Sequence, residues 1–269
     1  MAQRDFTDEP LADLLSLEGR VAVVTGGGRG IGFATVRRLH EAGAAVTVVD
    51  KDADLCARVE QTYEGVAAVT ADVTEAGVLA EVADRVTADA GRLDIWVNNA
   101  GIYPSTPLAE MGEGEWDAVV DLNLRAVFVG AREASKKMTL AGNGGVIINI
   151  GSLNAHFALG PGFAHYTTTK HGILGMTKAL AAELGPDGIR VLAISPQLTE
   201  TEGAMGMSGA FVSDEGIREM MDQYASRTPL GRIGKADDVA RTILFAVTDL
   251  AGYMTGSELM ADGGALAFG

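Results

Sequence analysis

The sequence predicts a doubly wound α/β domain: a parallel sheet of about seven strands with helices on both faces. Two observations carry this prediction. Short apolar, β-branched runs alternate with amphipathic stretches from Arg20 onward, and strands joined through helices run parallel with right-handed crossovers. No Pro- or Ser-rich linker divides the 269 residues, and one domain of this class reaches that length.

Val21-Ala22-Val23-Val24 is a run of the kind buried on both faces of a parallel sheet. The spacing then predicts a helix from Ile31 to Ala42, ended by Gly43, which tolerates the left-handed turn that stops a helix. A second strand is expected over Ala45 to Val49, a polar helix over Ala53 to about Thr62, and a third strand over Val66 to Thr70. Glu75 to Ala90 reads as a helix closed by Gly91, Leu93 to Val97 as the fourth strand, and Gly114 to Met138 as a long helix with room for a kink. Gly145 to Ile150 is the expected fifth strand. A helix from Ala164 to Leu184 stops at Gly185-Pro186, and strands come next at Ile189 to Ile194 and Glu258 to Met260. Residues 1–16 read as a mobile N-terminal tail and 17–269 as the domain. The segment from Pro196 to about Tyr224, rich in Gly and Met, breaks the alternation; long excursions of this kind often lie over a site as lids.

Composition removes several function classes. A net charge of −15 argues against a broad nucleic-acid surface, which needs clustered Lys and Arg. It leaves room for one small anion-binding loop, because backbone N–H groups can do that work. No apolar run approaches the ~20 residues that span a bilayer, and the N-terminus lacks the apolar core of a secretion signal. Cys56 is the one cysteine, so no internal disulfide or cysteine metal cluster is expected, and a reducing cytoplasm fits. His165 and His171 have no partner at metal-ligand spacing; no metal is expected.

The first strand runs into Thr25-Gly26-Gly27-Gly28-Arg29-Gly30-Ile31-Gly32, which opens the first helix. The Gly-x-Gly-x-x-Gly spacing fails in every register, but Gly26, Gly30 and Gly32 can do the same work: a sharp turn, close backbone approach to a pyrophosphate, and a helix N-terminus aimed at it. Asp50 closes the second strand about 20 residues further on, where a carboxylate accepts from the adenosine ribose hydroxyls and repels a 2′-phosphate. Arg29 and Lys51 could instead pair with such a phosphate. The carboxylate would occupy the phosphate's own site, so NAD is expected over NADP.

With these residues in view, the chain from about Leu17 to Gly264 resembles the short-chain dehydrogenase/reductase family, built on a Rossmann-type fold. Residues 25–32 look like its cofactor turn, Asp72-Val73 like its adenine-contacting pair, and Asn98-Asn99-Ala100-Gly101 like its fourth-strand motif. Asn123, Ser152, Tyr166 and Lys170 fall where the family carries its catalytic tetrad, and Pro196 to Thr201, with Thr199 between, resembles its carboxamide-holding segment. Gly231-Arg232, Asp238-Val239 and Asp262-Gly263-Gly264 match its C-terminal part. Two positions depart: Gln197 stands where the family usually has Gly, and Thr169 where it usually has Ser. The resemblance implies a nicotinamide cofactor, a small-molecule substrate and a homo-oligomer, commonly a tetramer, assembled through the long helices and the C-terminal strand.

The residue chemistry agrees. Tyr166 and Lys170, four apart on a helix, share one face. A phenol near pKa 10 is a poor base at neutral pH, and a neighbouring ammonium and a cationic nicotinamide ring would favour the phenolate. Ser152 would bond the substrate oxygen, Lys170 the ribose hydroxyls, and Asn123 would hold a link from Lys170 to solvent. Tyr166 would then take the proton of a secondary alcohol during oxidation and return it during reduction. Leu153, Asn154, His156, Phe157, Phe163, Met205 and Met207 form an expected substrate wall, mostly apolar, which suits a small to medium hydrophobic or cyclic substrate. Two other classes fit the same motifs: a dinucleotide sensor without turnover, and an epimerase-like relative with no net redox change.

Overall fold

The computed structural model describes residues 6–158, 160–202 and 214–267. Its strands are β1 (Val21–Thr25), β2 (Ala45–Asp50), β3 (Ala67–Thr70), β4 (Ile95–Asn98), β5 (Gly145–Ile150), β6 (Ile189–Pro196), β7 (Thr199–Glu200), β8 (Gly234–Lys235) and β9 (Glu258–Ala261). Seven of them form one sheet in the order β3-β2-β1-β4-β5-β6-β9, and β7 and β8 pair separately. Every pairing in the large sheet is parallel. Chain order reverses between β1 and β4, so their carboxyl ends part there and leave a crevice for a ligand.

The helices are α1 (Leu11–Leu15), α2 (Gly30–Glu41), α3 (Ala53–Thr62), α4 (Val78–Ala90), α5 (Glu113–Val120), α6 (Ala126–Ala141), α7 (Ala164–Leu184), α8 (Asp214–Ser226) and α9 (Ala236–Val247). Alternate strand residues face opposite sides. Ala22, Val24, Val48, Ile148 and Ile194 join Val36 of α2 and Ile243 of α9 in one core. Val21, Val23, Ile147 and Val191 join Leu79 of α4, Met138 of α6 and Ala181 of α7 in the other. Two covered faces explain why the strands read as unbroken apolar runs.

The expected long helix after β4 is α5 and α6 joined by a π-turn, Asp121–Arg125, which carries the buried Asn123; an extra residue in a turn rotates the helix beyond it and often marks a site. Within residues 1–16, Leu11–Leu15 form a short helix and Phe6 lies against Gly252; Leu17, at the start of the expected domain, is fully buried. Asp94, just before β4, is a buried staple. Its carboxylate accepts from the Val21 N–H (2.8 Å), the Arg92 guanidinium (2.8 and 2.6 Å) and the Asn143 amide (2.7 Å). Helix α8 lies within the predicted excursion, whose stem is clasped by the β7–β8 pair.

Candidate active site

The crevice between β1 and β4 is lined by glycines for steric reasons. Gly26 has φ +63°, and a Cβ there would sit 2.9 Å from the Ala100 Cα; one on Gly32 would sit 2.1 Å from the Gly26 carbonyl oxygen. Both obstacles are backbone and cannot swing away. Asn99 locks the turn, its amide donating to the Thr25 and Gly26 carbonyls at 3.0 Å each. The Thr25 hydroxyl accepts from the Asn99 and Ala100 N–H groups (3.0 and 3.2 Å), and Gly101 abuts Asn123. Helix α2 opens at Gly30, Ile31 and Gly32 from Arg29, with no side-chain cap on its first turn. Its first N–H groups therefore point toward the crevice without a protein side chain to satisfy them.

Asp50 ends β2 beside this turn. One carboxylate oxygen accepts from the Gly28 N–H at 3.0 Å and the other from the Asp52 N–H at 3.2 Å, so the group is already oriented. Arg29 and Lys51 are exposed. Asp72 accepts from the Thr74 N–H and hydroxyl (2.9 and 2.7 Å), bonds that hold its carboxyl below the usual range, and Val73 is buried. Cys56 is buried under Asp50, and burial pushes its thiol up, as befits an inert packing residue. The cradle that a Cβ would fill, the uncapped helix start and the strand-end carboxylate together fit a dinucleotide. Asp50 would hold its adenosine ribose, residues 26–32 its pyrophosphate, and Tyr166 with Lys170 its nicotinamide end.

At the end of β5 the Ser152 hydroxyl accepts from the Asn154 N–H at 3.1 Å and is hydrogen-bonded to Tyr166. Lys170, on the same face of α7, donates from Nζ to the Ile150 carbonyl at 2.7 Å and stands 5.5 Å from the centre of the Tyr166 ring. Burial lowers the Lys170 ammonium to about 8. Burial likewise drives the Tyr166 phenol up to about 12; the Ser152 bond works against this and Tyr103 adds to it. Lys170 is spent on the Ile150 carbonyl, and the dry surroundings of the phenol outweigh it. Asn123 is also committed: its oxygen accepts from the Ile102 N–H at 2.9 Å and its nitrogen donates to the Ile102 carbonyl at 2.7 Å. Its side chain therefore makes no bond to Lys170; it fixes the loop after β4.

The expected wall residues differ in exposure. Leu153 and Asn154 are buried, and His156 is held by Glu258 at 2.8 Å. Phe157 and Phe163 are partly exposed, with the Phe163 ring edge-on to Tyr166 at 6.4 Å. Met205 and Met207 lie outside the described residues. Pro196 ends β6, and the Thr199 hydroxyl donates to the Gln197 carbonyl at 2.8 Å. Thr201 packs on the open side of Gly30. Gln197 has a structural partner: its side-chain oxygen lies 3.0 Å from the Thr228 hydroxyl, which ties the exit of β6 to the segment after α8.

Two neighbours of the site escape the sequence reading. Tyr103 stands edge-on to Tyr166 at 6.0 Å and is hydrogen-bonded to Thr201. Arg58 donates to the Gly28 carbonyl at 2.8 Å and lies over the Phe33 ring at 4.9 Å. An aromatic residue two places beyond Gly101 is a faint signal for the first. The second depends on how α3 packs and leaves no sequence trace.

A family profile described as enoyl-(acyl carrier protein) reductase matches residues 26–265. The chain belongs to the short-chain dehydrogenase/reductase family. It is 36% identical over 260 residues to a 3alpha-hydroxysteroid dehydrogenase of Mediterraneibacter gnavus, covering 93% of this chain and 98% of that protein. Among solved structures, a short-chain type dehydrogenase/reductase from Mycobacterium marinum superimposes with a TM-score of 0.85 at 30% identity, covering 95% of this chain and 99% of that one. A gluconate 5-dehydrogenase from Burkholderia cenocepacia, in complex with NADP and tartrate, does so at 0.86 and 33%, covering 96% and 99%. Members of this family are alcohol and ketone oxidoreductases that use nicotinamide dinucleotides, act on small molecules and commonly oligomerise. Among the described residues no helix is long and apolar enough to cross a membrane.

Proposed function

We propose that this protein is an NAD(H)-dependent oxidoreductase that interconverts a secondary alcohol and a ketone, with Tyr166 as general acid and base. The observation that carries the proposal is the contact of the Tyr166 phenol with Ser152, with Lys170 one helical turn away, at the carboxyl edge of the sheet and beside the glycine cradle. When bound, the nicotinamide supplies the hydride acceptor or donor. Tyr166 takes the hydroxyl proton in oxidation and gives it back in reduction. Ser152 bonds the substrate oxygen and holds it within reach of the phenol. Lys170 brings a positive charge to a dry site, where it stabilises the phenolate more than it would in water. Asn123 keeps the loop after β4 in place behind them. Asp50, already oriented by the Gly28 N–H, selects NAD over NADP. The lid reading of the excursion, a cytoplasmic location and a homotetramer belong to the same proposal.

The relatives' names span a steroid hydroxyl and gluconate, which are opposite chemistries. Tyr166 is flanked by the rings of Tyr103 and Phe163, which favours a hydrophobic, cyclic substrate over a polyol. The test is reduction of NAD⁺ and NADP⁺ against a panel of cyclic secondary alcohols and polyols. The proposal expects turnover with NAD⁺ and a cyclic alcohol. A protein that binds NADH yet oxidises nothing on the panel is a sensor or a non-redox relative instead.

The direction of the phenol shift also sets a pH dependence. A phenol raised above its usual value keeps its proton to higher pH, so the form that protonates a ketone persists. Rates of ketone reduction should stay level through pH 8, while alcohol oxidation, which needs the phenolate, should climb steadily over the same range. Steady-state rates in both directions check this; an oxidation rate that is flat from pH 6 to 9 with chemistry rate-limiting contradicts it.

A further inference from the structure

Helix α7 begins without a side-chain cap, so the N–H groups of its first turn need other partners. That of Thr167 reaches the Phe163 carbonyl at 2.8 Å. That of Tyr166 reaches the imidazole of the preceding residue: His165 Nδ1 accepts it at 2.8 Å. A nitrogen that accepts cannot carry a hydrogen, which places the ring hydrogen on Nε2. There it faces Glu115 Oε1 at 3.0 Å, on α5. His165 is fully buried. Glu115 is also hydrogen-bonded to Thr106, whose N–H donates to the Gly162 carbonyl at 3.0 Å. The circuit Thr106–Glu115–His165–Tyr166 therefore joins the loop after β4, helix α5 and the first turn of α7. It meets the chain at the backbone of the residue whose phenol must stay on Ser152.

We propose that His165, oriented by Glu115, is the positioning residue that sets the Tyr166 phenol against Ser152 and the substrate oxygen. This rests on the reading of Tyr166 as the acid and base. His165 touches no reacting atom; it acts through the Tyr166 main chain. Loss of the Nδ1 acceptor leaves this partly buried N–H unpaired, a cost the helix start relieves by fraying. The phenol then drifts from Ser152, and a misplacement of about 1 Å can cost on the order of 10²-fold in rate. Without the Ser152 bond, and with Tyr103 still beside it, the phenol also becomes harder to ionise.

The test compares H165L, H165N and E115L with the wild type. Asn offers an acceptor at the Nδ1 position and Leu offers none, while Glu115 is partly exposed and its replacement should leave the fold standing. Two readouts are needed: the pH profile of kcat/KM for alcohol oxidation, and hydrogen exchange over residues 160–172 in the cofactor-free protein. The proposal expects H165L to lose tenfold or more in kcat/KM, to move the rising limb of the profile to higher pH and to speed exchange over 160–172. H165N should stay near wild type in both, and E115L should fall between. If H165L does not fold, faster exchange and a displaced limb in E115L with neither in H165N support the proposal. If no folded variant moves the limb or the exchange, the proposal is overturned, as it is if rates fall with the limb in place, which a merely structural role would give. Should Y166F retain near-normal turnover, the functional reading fails first and carries this inference with it; should Y166F be inactive and the limb stay fixed, only this inference fails.

Discussion

Replacement of Tyr166 by phenylalanine is expected to lower turnover by about 10²–10⁴-fold, the range that a positioned acid or base contributes, while NADH still binds. The substitution removes one oxygen and keeps the ring that packs edge-on against Tyr103 and Phe163. The glycine cradle and Asp50 are untouched, so the two readouts should separate: steady-state rate collapses, while an NADH fluorescence titration stays within about twofold. The same pattern distinguishes catalysis from folding, because a destabilised variant would lose both together. A near-normal rate removes Tyr166 from the chemistry.

The second large effect is expected at Asp50. Its carboxylate stands at the end of β2 beside Gly28, where an added 2′-phosphate would meet a like charge. At about 4 Å and an effective dielectric near 20 such a pair costs ~4 kcal/mol, enough to decide the cofactor. Asp50→Ser removes that repulsion and leaves Arg29, Lys51 and Arg58 in the neighbourhood. The ratio of kcat/KM for NAD⁺ over NADP⁺ should fall at least tenfold, with most of the change in KM for NADP⁺. An unchanged ratio assigns the selection to another group. The NADP bound to the gluconate 5-dehydrogenase neighbour makes this the sharper of the two tests, since it shows that a protein of this fold can hold NADP.

The strand positions and the glycine turn come from local pattern. β1, β4, β5 and β6 are mostly apolar because both faces are covered, and Gly26, Gly30 and Gly32 announce the turn between β1 and α2. Asn123, Ser152, Tyr166 and Lys170 are legible by resemblance and by the four-residue step from Tyr166 to Lys170. The features that escaped have a common cause: they lie in contacts between residues far apart in the chain. Asp94 reaches Val21 and Asn143, and Gln197 reaches Thr228. The His165–Glu115 pair needs α5 laid beside α7, which no periodicity encodes. The dryness around the phenol is not in the sequence either. Proximity to Lys170 can be counted along a helix, but the dryness that outweighs it is a property of the assembled site.

One labelling measurement bears most directly on hydride transfer by this site. A cyclic secondary alcohol carrying deuterium on its carbinol carbon is turned over with NAD⁺, and the recovered NADH is weighed by mass spectrometry. One deuterium in the NADH is expected for each ketone formed. Unlabelled NADH, or alcohol returned as its epimer with no net NADH, would contradict the assignment.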